Sequence, residues 1–376
     1  MAIINGTSGD DTLNGTSSSD QIFGFGGNDI LNGNGGNDQL DGGIGADTMS
    51  GGIGSDIYFV DDVGDSVIEL SAQGNDEVRT TLAAYALTAN VEKLRYTGSS
   101  DFTGTGNDLN NEIIGAGGND TLTGGDGWDY LIGLGGNDTL YGGADGDVLD
   151  GGTGQDYMEG NNGDDVYIVD NVSDTVVELA SEGIDQVYSN LSSYTLGADV
   201  ENLSANIIPG GSFAGTGNGL DNVILGGGSA DSLSGEGGND TLRGQGGDDT
   251  LSGGAGTDLL VGASGADTMT GGADADTFRI GYFETGTGAA ADRITDFETG
   301  VDVIDISGWD ANNGVGGDQA FSFVGSSAFS STAGELRAFV SGADTIVEGD
   351  INGDAVADFQ ILLTGNIAVV SSDFVL

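Results

Sequence analysis

Residues 24–59 read GFGGNDILN-GNGGNDQLD-GGIGADTMS-GGIGSDIYF, which is four consecutive segments of nine residues. Each segment begins with Gly, carries Asp at position 6 and places a large apolar residue at position 8, as Leu31 follows Asp29. One apolar residue between two polar ones predicts a very short strand with a single inward side chain. The Gly-rich run before each Asp predicts a tight turn, because Gly tolerates positive φ and close backbone approach.

The same phase recurs along most of the chain, in three blocks with 20 units in all. Asn111 and Asn222 open the second and third blocks, and Asp occupies position 6 of the other 18 units. These are Asp11, Asp20, Asp29, Asp38, Asp47, Asp56, Asp120, Asp129, Asp138, Asp147, Asp156, Asp165, Asp231, Asp240, Asp249, Asp258, Asp267 and Asp276. We call these 18 residues the Asp ladder. A sustained nonapeptide period of this form is a signature of a calcium-binding β-helix.

Two units make a coil of 18 residues with two strands and two turns, and the coils stack with parallel strands about 4.8 Å apart. The sequence therefore predicts an all-β fold, a parallel β-roll or β-helix solenoid. Every second Asp should then lie above the previous one. Asp11, Asp29 and Asp47 would line one edge, and Asp20, Asp38 and Asp56 the other.

Such a stack should not form by itself. Carboxylates about 5 Å apart repel by roughly 3 kcal/mol per pair at an effective dielectric constant near 20. One buried apolar side chain per nine residues contributes only about 1.5–3 kcal/mol, less than ordering the backbone costs. Ca²⁺ accepts about six to eight oxygens in flexible geometry, whereas Mg²⁺ demands a tighter octahedron. We therefore predict the Asp ladder as metal ligands for Ca²⁺, with on the order of a dozen ions.

Composition excludes several other functions. The chain has 61 Asp+Glu against 7 Lys+Arg, a formal net charge of −54, no His and no Cys. It therefore lacks the residues for His-based or thiol catalysis and for a His/Cys zinc site. The shortage of cations argues against nucleic-acid binding, and no apolar run is long enough for a membrane span. We expect no catalysis.

The nonapeptides resemble the RTX (hemolysin-type) repeats of bacterial proteins exported by type I secretion. The segments Asp292–Phe297, Asp302–Ser307 and Gly349–Asp354 resemble the C-terminal region of serralysin-type proteases, which caps the β-roll and carries the secretion signal. The resemblance implies an extracellular or cell-surface protein exported without a cleaved N-terminal signal, with the acidic–apolar end Asp373-Phe374-Val375-Leu376 as export signal. The protease motif H-E-x-x-H cannot be present in a chain without His.

The chain is predicted to comprise six segments. Residues 1–57, 106–166 and 217–278 form three β-roll blocks, 58–105 and 167–216 are two β spacers, and 279–376 form a C-terminal β cap. The spacers are copies of each other, since Tyr58, Glu69 and Asp76 recur at an offset of 109 as Tyr167, Glu178 and Asp185. We expect them to continue the solenoid as wider, irregular coils.

Three interpretations of function and two local features stay open. The leading interpretation is a structural or adhesive protein of a surface layer, matrix or filament that self-associates with calcium. The alternatives are a module that binds cell-surface polysaccharide and, less favoured, a carbohydrate-active enzyme of β-helix type. Asp350–Asp358 fits either a turn between strands or a calcium loop. The basic residues Arg79, Lys93 and Arg95 fit either packing roles or contact with a polyanion.

Overall fold

The computed structural model describes residues 1–206, 210–281, 284–312 and 314–376. The chain divides into two compact units, Met1–Asp185 and Gln186–Leu376. The secondary structure of the described residues consists of β-strands and two short 3-10 helices, Gly288–Ala290 and Ser371–Asp373. None of their helices has the length and apolar character needed to cross a membrane. The predicted all-β class is confirmed.

The first unit contains strands β1 to β20. Their bounds are β1 (Ile3–Asn5), β2 (Thr12–Asn14), β3 (Gln21–Phe23), β4 (Ile30–Gly35), β5 (Gln39–Asp41), β6 (Thr48–Ile53), β7 (Ile57–Val60), β8 (Ser66–Val67), β9 (Glu77–Thr80), β10 (Ala84–Ala86), β11 (Lys93–Tyr96), β12 (Thr103–Thr105), β13 (Glu112–Ile114), β14 (Thr121–Asp126), β15 (Tyr130–Ile132), β16 (Thr139–Ala144), β17 (Val148–Asp150), β18 (Tyr157–Asn162), β19 (Val166–Val169) and β20 (Thr175–Val177).

The second unit contains strands β21 to β38. Their bounds are β21 (Gln186–Ser189), β22 (Ser193–Thr195), β23 (Asn202–Ala205), β24 (Ala214–Thr216), β25 (Val223–Leu225), β26 (Ser232–Gly237), β27 (Thr241–Gly246), β28 (Thr250–Ala255), β29 (Leu259–Ser264), β30 (Thr268–Ala273), β31 (Thr277–Arg279), β32 (Asp292–Ile294), β33 (Val303–Asp305), β34 (Ser322–Phe323), β35 (Glu335–Ser341), β36 (Asp344–Asp350), β37 (Phe359–Leu363) and β38 (Phe374–Val375).

In the repeat blocks each coil gives one strand to each of two parallel sheets. In the first unit the odd-numbered strands β1 to β19 pair in sequence, and the even-numbered strands form the sheets β2–β8 and β10–β20. The register advances by 18 residues per coil, as Ile22 pairs with Leu40 and Leu122 with Leu140. The same arrangement recurs in the second unit, where Leu251 pairs with Met269. The predicted parallel β-roll of 18-residue coils is therefore confirmed.

The core of each roll is the stack of position-8 side chains. Leu31, Leu40, Leu131 and Leu251, for example, are fully buried, whereas their neighbours in the strand face outward. Because a strand alternates its side chains between faces, each nonapeptide buries a single large residue. The core is therefore a thin column between two sheets.

The first spacer continues the odd-numbered sheet with coils of changed length. Ile57 pairs with Glu77, Glu77 with Lys93 and Lys93 with Glu112, which are steps of 20, 16 and 19 residues. The even-numbered sheet is interrupted there, between β8 and β10. In the second unit, Gln186 pairs with Asn202 and Asn202 with Val223, at comparably irregular steps.

The C-terminal region joins both sheets of the second unit. An antiparallel meander, β35–β36–β37, attaches through β37 to β32, and the last strand β38 attaches to β33. Trp309 is buried there, and its indole N–H donates to the carbonyl oxygen of Ile280. Asp373 is also buried and accepts hydrogen bonds from the N–H groups of Gly300 and Val370. The acidic–apolar end of the chain is thus folded into this region.

Candidate metal centre

The Asp ladder stacks along two edges of the rolls, as its spacing predicts. The backbone N–H of each Asp donates to Oδ1 of the Asp one coil later. The distance is 2.7 Å from Asp120 to Asp138 and 2.8 Å from Asp138 to Asp156. Asp11 donates in the same way to Asp29, and Asp20 to Asp38. One oxygen of each carboxylate therefore locks adjacent coils together.

The second carboxylate oxygen divides the ladder into two classes. At 14 positions Oδ2 is buried and has no hydrogen-bond partner among the described residues. We call these the open carboxylates: Asp29, Asp38, Asp47, Asp56, Asp129, Asp138, Asp147, Asp156, Asp165, Asp240, Asp249, Asp258, Asp267 and Asp276. A buried, unpartnered charged oxygen is costly, so each of these positions calls for a cation or a proton.

The six remaining position-6 residues are satisfied by their own turns. The backbone N–H at position 2 donates to Oδ2 of Asp11 over 2.6 Å and to Oδ2 of Asp120 over 2.7 Å. The same bond reaches the Oδ1 atom of Asn111 and Asn222. Asp20 and Asp231 complete this group, which contains the first two units of each block.

Turn conformation separates the two classes. In all 14 units with an open carboxylate, the residues at positions 2 and 4 have φ between +68° and +155°. None of the six other units has positive φ at either position. In these 14 units the N–H at position 2 does not reach Oδ2, which has no hydrogen-bond partner among the described residues. Leu134, with φ of 77°, adopts the left-handed conformation although it is not Gly, and such a residue costs roughly 1–2 kcal/mol.

The Gly at position 1 lies against each open carboxylate, and in half of the units a carbonyl oxygen of the next coil lies beside it and completes a cradle. A Cβ added to Gly133 would overlap Oδ2 of Asp138 and would lie 2.6 Å from the carbonyl oxygen of Gly151 in the next coil. A Cβ added to Gly24 would overlap Oδ2 of Asp29 and lie 2.5 Å from the carbonyl oxygen of Gly42. Oxygens from two successive coils thus face one small space that only a Gly leaves free.

Burial disfavours the charged form of most of the open carboxylates, such as Asp147 and Asp249. It raises the pKa of Asp147 to about 8, with the nearby Asp129 and Asp165 carboxylates adding to the effect. Burial likewise raises the pKa of Asp249 to about 7. Asp20, by contrast, has a lowered pKa because the N–H groups of Ala2 and Thr16 stabilise its anion. A cation at the open positions would remove this penalty.

The ladder extends beyond the nonapeptides into the spacers and the C-terminal region, partly in phase, as at Asp65, and partly out of phase, as at Asp76. Asp47 donates its N–H to Asp65, and Asp56 to Asp76. In the C-terminal region Asp267 donates to Asp292, and Asp276 to Asp302. The recurrence of the spacer acids at an offset of 109 was the signal that could have identified the first pair, because Asp174 and Asp185 take the same roles.

The two local features left open by the sequence receive structural contexts. Asp350–Asp358 connects the antiparallel strands β36 and β37, and both oxygens of Asp350 accept backbone N–H groups, from Gly353 and Ala355. Both oxygens of Asp358 are also hydrogen-bonded within the loop. This supports the interpretation as a turn.

The basic residues of the first spacer form ion pairs. Arg79 and Arg95 both bind Glu77, at 2.9 Å and 3.1 Å, and Lys93 binds Glu112 at 2.9 Å. Neighbouring acids thus already satisfy these three cations, which supports packing roles over contact with a polyanion.

The donor set fits Ca²⁺ at the open carboxylates. Carboxylate and backbone carbonyl oxygens are the ligands that hard cations take, and the cradles hold no nitrogen or sulfur ligand. Bound calcium would supply positive charge between coils whose own carboxylates repel one another. The chain's residues supply the rest: Oδ1 holds the coils in register, and the left-handed turn keeps Oδ2 free.

Comparison with known proteins agrees with this geometry. A family profile for the RTX calcium-binding nonapeptide repeat matches residues 5–40, 23–58, 105–140 and 141–176. The profile of the peptidase M10 serralysin C terminal matches residues 216–376. Neither matched region is a catalytic domain. The comparison with curated proteins gives no significant match.

Several solved structures are similar to parts of the chain. The AlgE6R3 subunit of the Azotobacter vinelandii mannuronan C5-epimerase is 26% identical in sequence, with a TM-score of 0.22. The alignment spans 42% of this chain and 78% of the subunit. The AlgE6R2 subunit of the same enzyme is 26% identical over 43% of this chain and 91% of the subunit, with a TM-score of 0.24. The extracellular lipase LipA from Serratia marcescens is 18% identical, with coverages of 86% and 45% and a TM-score of 0.15.

The nonapeptide phase, the stacked Asp ladder and the two profile matches lead to one assignment. The chain carries RTX calcium-binding nonapeptide repeats and a C-terminal region similar to the serralysin C-terminal domain.

Proposed function

We propose that this is a secreted structural or adhesive protein whose rolls fold when they bind extracellular calcium. The observation that carries the proposal is the set of 14 open carboxylates, each buried against the Gly at position 1 of its own unit. We restrict the proposed calcium ligands to these 14 ladder residues. Asp11, Asp20, Asp120 and Asp231 are left out because a backbone N–H occupies their second oxygen.

Calcium-dependent folding suits export as an unfolded chain. Extracellular calcium modules bind with Kd of about 10⁻⁴–10⁻³ M, well above cytosolic calcium. The chain would therefore stay unfolded inside the cell and fold outside. The serralysin-like C-terminal domain supports the type I route for this export.

Neutralisation by calcium would permit assembly. One divalent ion at each open carboxylate would bring 28 positive charges, about half of the formal charge of −54. The remaining acidic faces could then be bridged by further calcium between molecules. The matched regions are repeats and a C-terminal domain, which supports a structural role over catalysis.

One outward row of the long sheet in the first unit favours this role over sugar binding. Polysaccharide recognition by a solenoid calls for a row of exposed aromatic side chains along one face. The outward residues at one position of the long sheet in the first unit are instead mixed, with one aromatic residue among them. They are Gln21, Gln39, Ile57, Glu77, Lys93, Glu112, Tyr130, Val148 and Val166.

Sedimentation velocity at several protein concentrations, with millimolar calcium and with EDTA, tests the proposal. We expect a slowly sedimenting unfolded chain in EDTA, and compact species that grow with protein concentration in calcium. A protein that folds with calcium but stays monomeric at every concentration would overturn the structural role. Retention on a polysaccharide matrix under the same conditions would then establish the binding-module alternative.

A further inference from the structure

A second kind of acidic cluster lies where the first and second blocks pass into their spacers. Asp56, Glu69 and Asp76 are all buried, and one carboxylate oxygen from each lies within 4.8 Å of the others. Asp165, Glu178 and Asp185 repeat the arrangement at the end of the second block. Glu69 and Glu178 belong to no nonapeptide, so the repeat motif does not account for them.

Glu69 and Glu178 point into these clusters, and one carboxylate oxygen of each has no hydrogen-bond partner among the described residues. Glu69 is 6% exposed and Glu178 5%, and Oε2 of each is buried without a hydrogen-bond partner among the described residues. Their other oxygens, Oε1, accept hydrogen bonds from the hydroxyl groups of Tyr58 and Tyr167. A buried carboxylate that is fixed by a tyrosine hydroxyl and places an unpartnered oxygen beside two other carboxylates indicates a cation bound between the three carboxylates.

The surrounding coil explains why a glutamate is needed here. Within a block, the cradle beside an open carboxylate is lined by a Gly carbonyl oxygen of the next coil, as Gly151 does for Asp138. At the block end the next coil is the spacer, whose register step is 20 residues. A Cβ added to Gly51 would overlap Oδ2 of Asp56 and the hydroxyl oxygen of Tyr58. The tyrosine hydroxyl, which also holds the glutamate, thus lies beside Oδ2 of Asp56, whereas Asp138 has the carbonyl oxygen of Gly151 there.

We propose that Asp56–Glu69–Asp76 and Asp165–Glu178–Asp185 are two divalent-cation sites in which a spacer glutamate and aspartate join the last ladder residue of the block, and that these two sites bind Ca²⁺ most tightly and close each roll onto its spacer. The cluster gathers three carboxylates, and calcium affinity rises with the number of charged ligands. The Tyr hydroxyl fixes the glutamate before the ion arrives, which lowers the cost of ordering it.

The third block provides an internal comparison. Phe278 stands where Tyr58 and Tyr167 stand, so no hydroxyl is available at that position. Asp296 instead accepts the backbone N–H groups of Gly271 and Gly272. Phe at this position therefore fits the coil, while the clusters found among the described residues lie at the two block ends that carry Tyr.

The test uses Tb³⁺ as a calcium substitute, because its emission is excited by a nearby tyrosine. In millimolar calcium, which keeps the chain folded, two equivalents of Tb³⁺ per chain should replace Ca²⁺ at the two sites first and give strong tyrosine-sensitised emission in the full-length protein. The double variant Glu69→Gln, Glu178→Gln should lose that emission and two tightly bound Ca²⁺ ions per chain in equilibrium dialysis. The matched control is Glu159→Gln, since Glu159 also accepts a hydrogen bond from a tyrosine, Tyr157, at 2.6 Å but lies outside the clusters.

A second variant guards against misfolding. The double variant Tyr58→Phe, Tyr167→Phe keeps all six carboxylates and copies the third block, so it should keep the bound ions and lose the early emission. The inference rests on the proposed calcium-dependent folding, but different results would overturn the block-end sites and the calcium-dependent folding. Unchanged early emission and ion count in the glutamate variant would overturn these sites alone, whereas an unmodified protein that binds no calcium would overturn both.

Discussion

Asp138→Asn isolates the role of a single open carboxylate. The Asn Oδ1 can still accept the N–H of Asp120, a 2.7 Å bond in the present structure, so the link between coils survives. The charge at the buried Oδ2 is lost, and with it one calcium ligand. Asp101→Asn is the matched control, because Asp101 also accepts an N–H from 18 residues away, at 2.9 Å from Asn119, but is exposed.

The size of the effect follows from linkage. An ion that binds only the folded chain stabilises it by RT ln(1 + [L]/Kd). With 10 mM calcium and a Kd of about 10⁻⁴–10⁻³ M, losing one ion costs about 1.4–2.7 kcal/mol of unfolding free energy. As free calcium falls below the Kd, this cost should vanish and reverse, because Asn carries no buried charge.

Urea unfolding at about 10 mM and at about 1 mM calcium, followed by circular dichroism, measures how the cost depends on calcium. Asp138→Asn should be destabilised more at the higher concentration, and Asp101→Asn should match the unmodified protein at both. Equal effects of the two substitutions, or a loss at Asp138 that does not depend on calcium, would refute the reasoning.

Three further predictions concern the cradle, the turn and pH. Gly133→Ala should displace one ion, because the new Cβ would fill the cradle beside Asp138. Gly117→Ala, whose Cβ would meet nothing within 4 Å, should bind calcium normally. Equilibrium dialysis, which counts the bound ions, distinguishes the two variants. Leu134→Gly should leave the free energy of unfolding unchanged or raise it by up to about 1 kcal/mol, whereas Leu134→Val should lower it, because a β-branched residue is disfavoured at positive φ. Thermal unfolding in calcium measures both variants. A Val variant more stable than the Gly variant would contradict the prediction. Burial raises the pKa of Asp147 to about 8, so the calcium-free fold gains stability as pH falls from about 8 toward about 4 and loses it as pH rises. Acidification of metal-free protein should therefore increase its β-structure, measured by circular dichroism. A decrease of β-structure across that pH range would contradict the prediction.

The period of nine was sufficient to predict most of the fold. Because each strand buries one side chain per nonapeptide, residues such as Leu40 and Leu131 could be placed in the core from their phase alone. The stacking of Asp11 on Asp29 followed from two units per coil. The irregular coils of the spacers were expected as such, but the steps of 20, 16 and 19 residues depend on packing between coils and have no sequence period.

The division of the ladder could not be predicted from local sequence. The turns before Asp120 and Asp138 read GAGGND and GLGGND, yet Leu134 has positive φ and Ala116 does not. The difference lies in the stack, because Gly135 donates its N–H to Ala116 in the preceding turn. The turn of Ala116 belongs to the first coil of its block and has no earlier nonapeptide turn beneath it. Position in the block therefore decides which carboxylates stay open.

The block-end glutamates were overlooked for a different reason. Glu69 and Glu178 were visible as matching residues of the two spacers, but their spacing from Asp56 and Asp165 follows no nonapeptide phase. Only the widened coil, together with the hydroxyl groups of Tyr58 and Tyr167, brings them to the ladder. A repeated acid outside the period was the sequence signal available.

The account's central claim is that the rolls cannot fold until calcium occupies the open carboxylates. Far-ultraviolet circular dichroism of the full chain, titrated from EDTA to millimolar free calcium, tests it most directly. We predict a largely disordered spectrum in EDTA and a cooperative transition to β-structure as calcium rises. A native-like β spectrum in EDTA at neutral pH would contradict the claim.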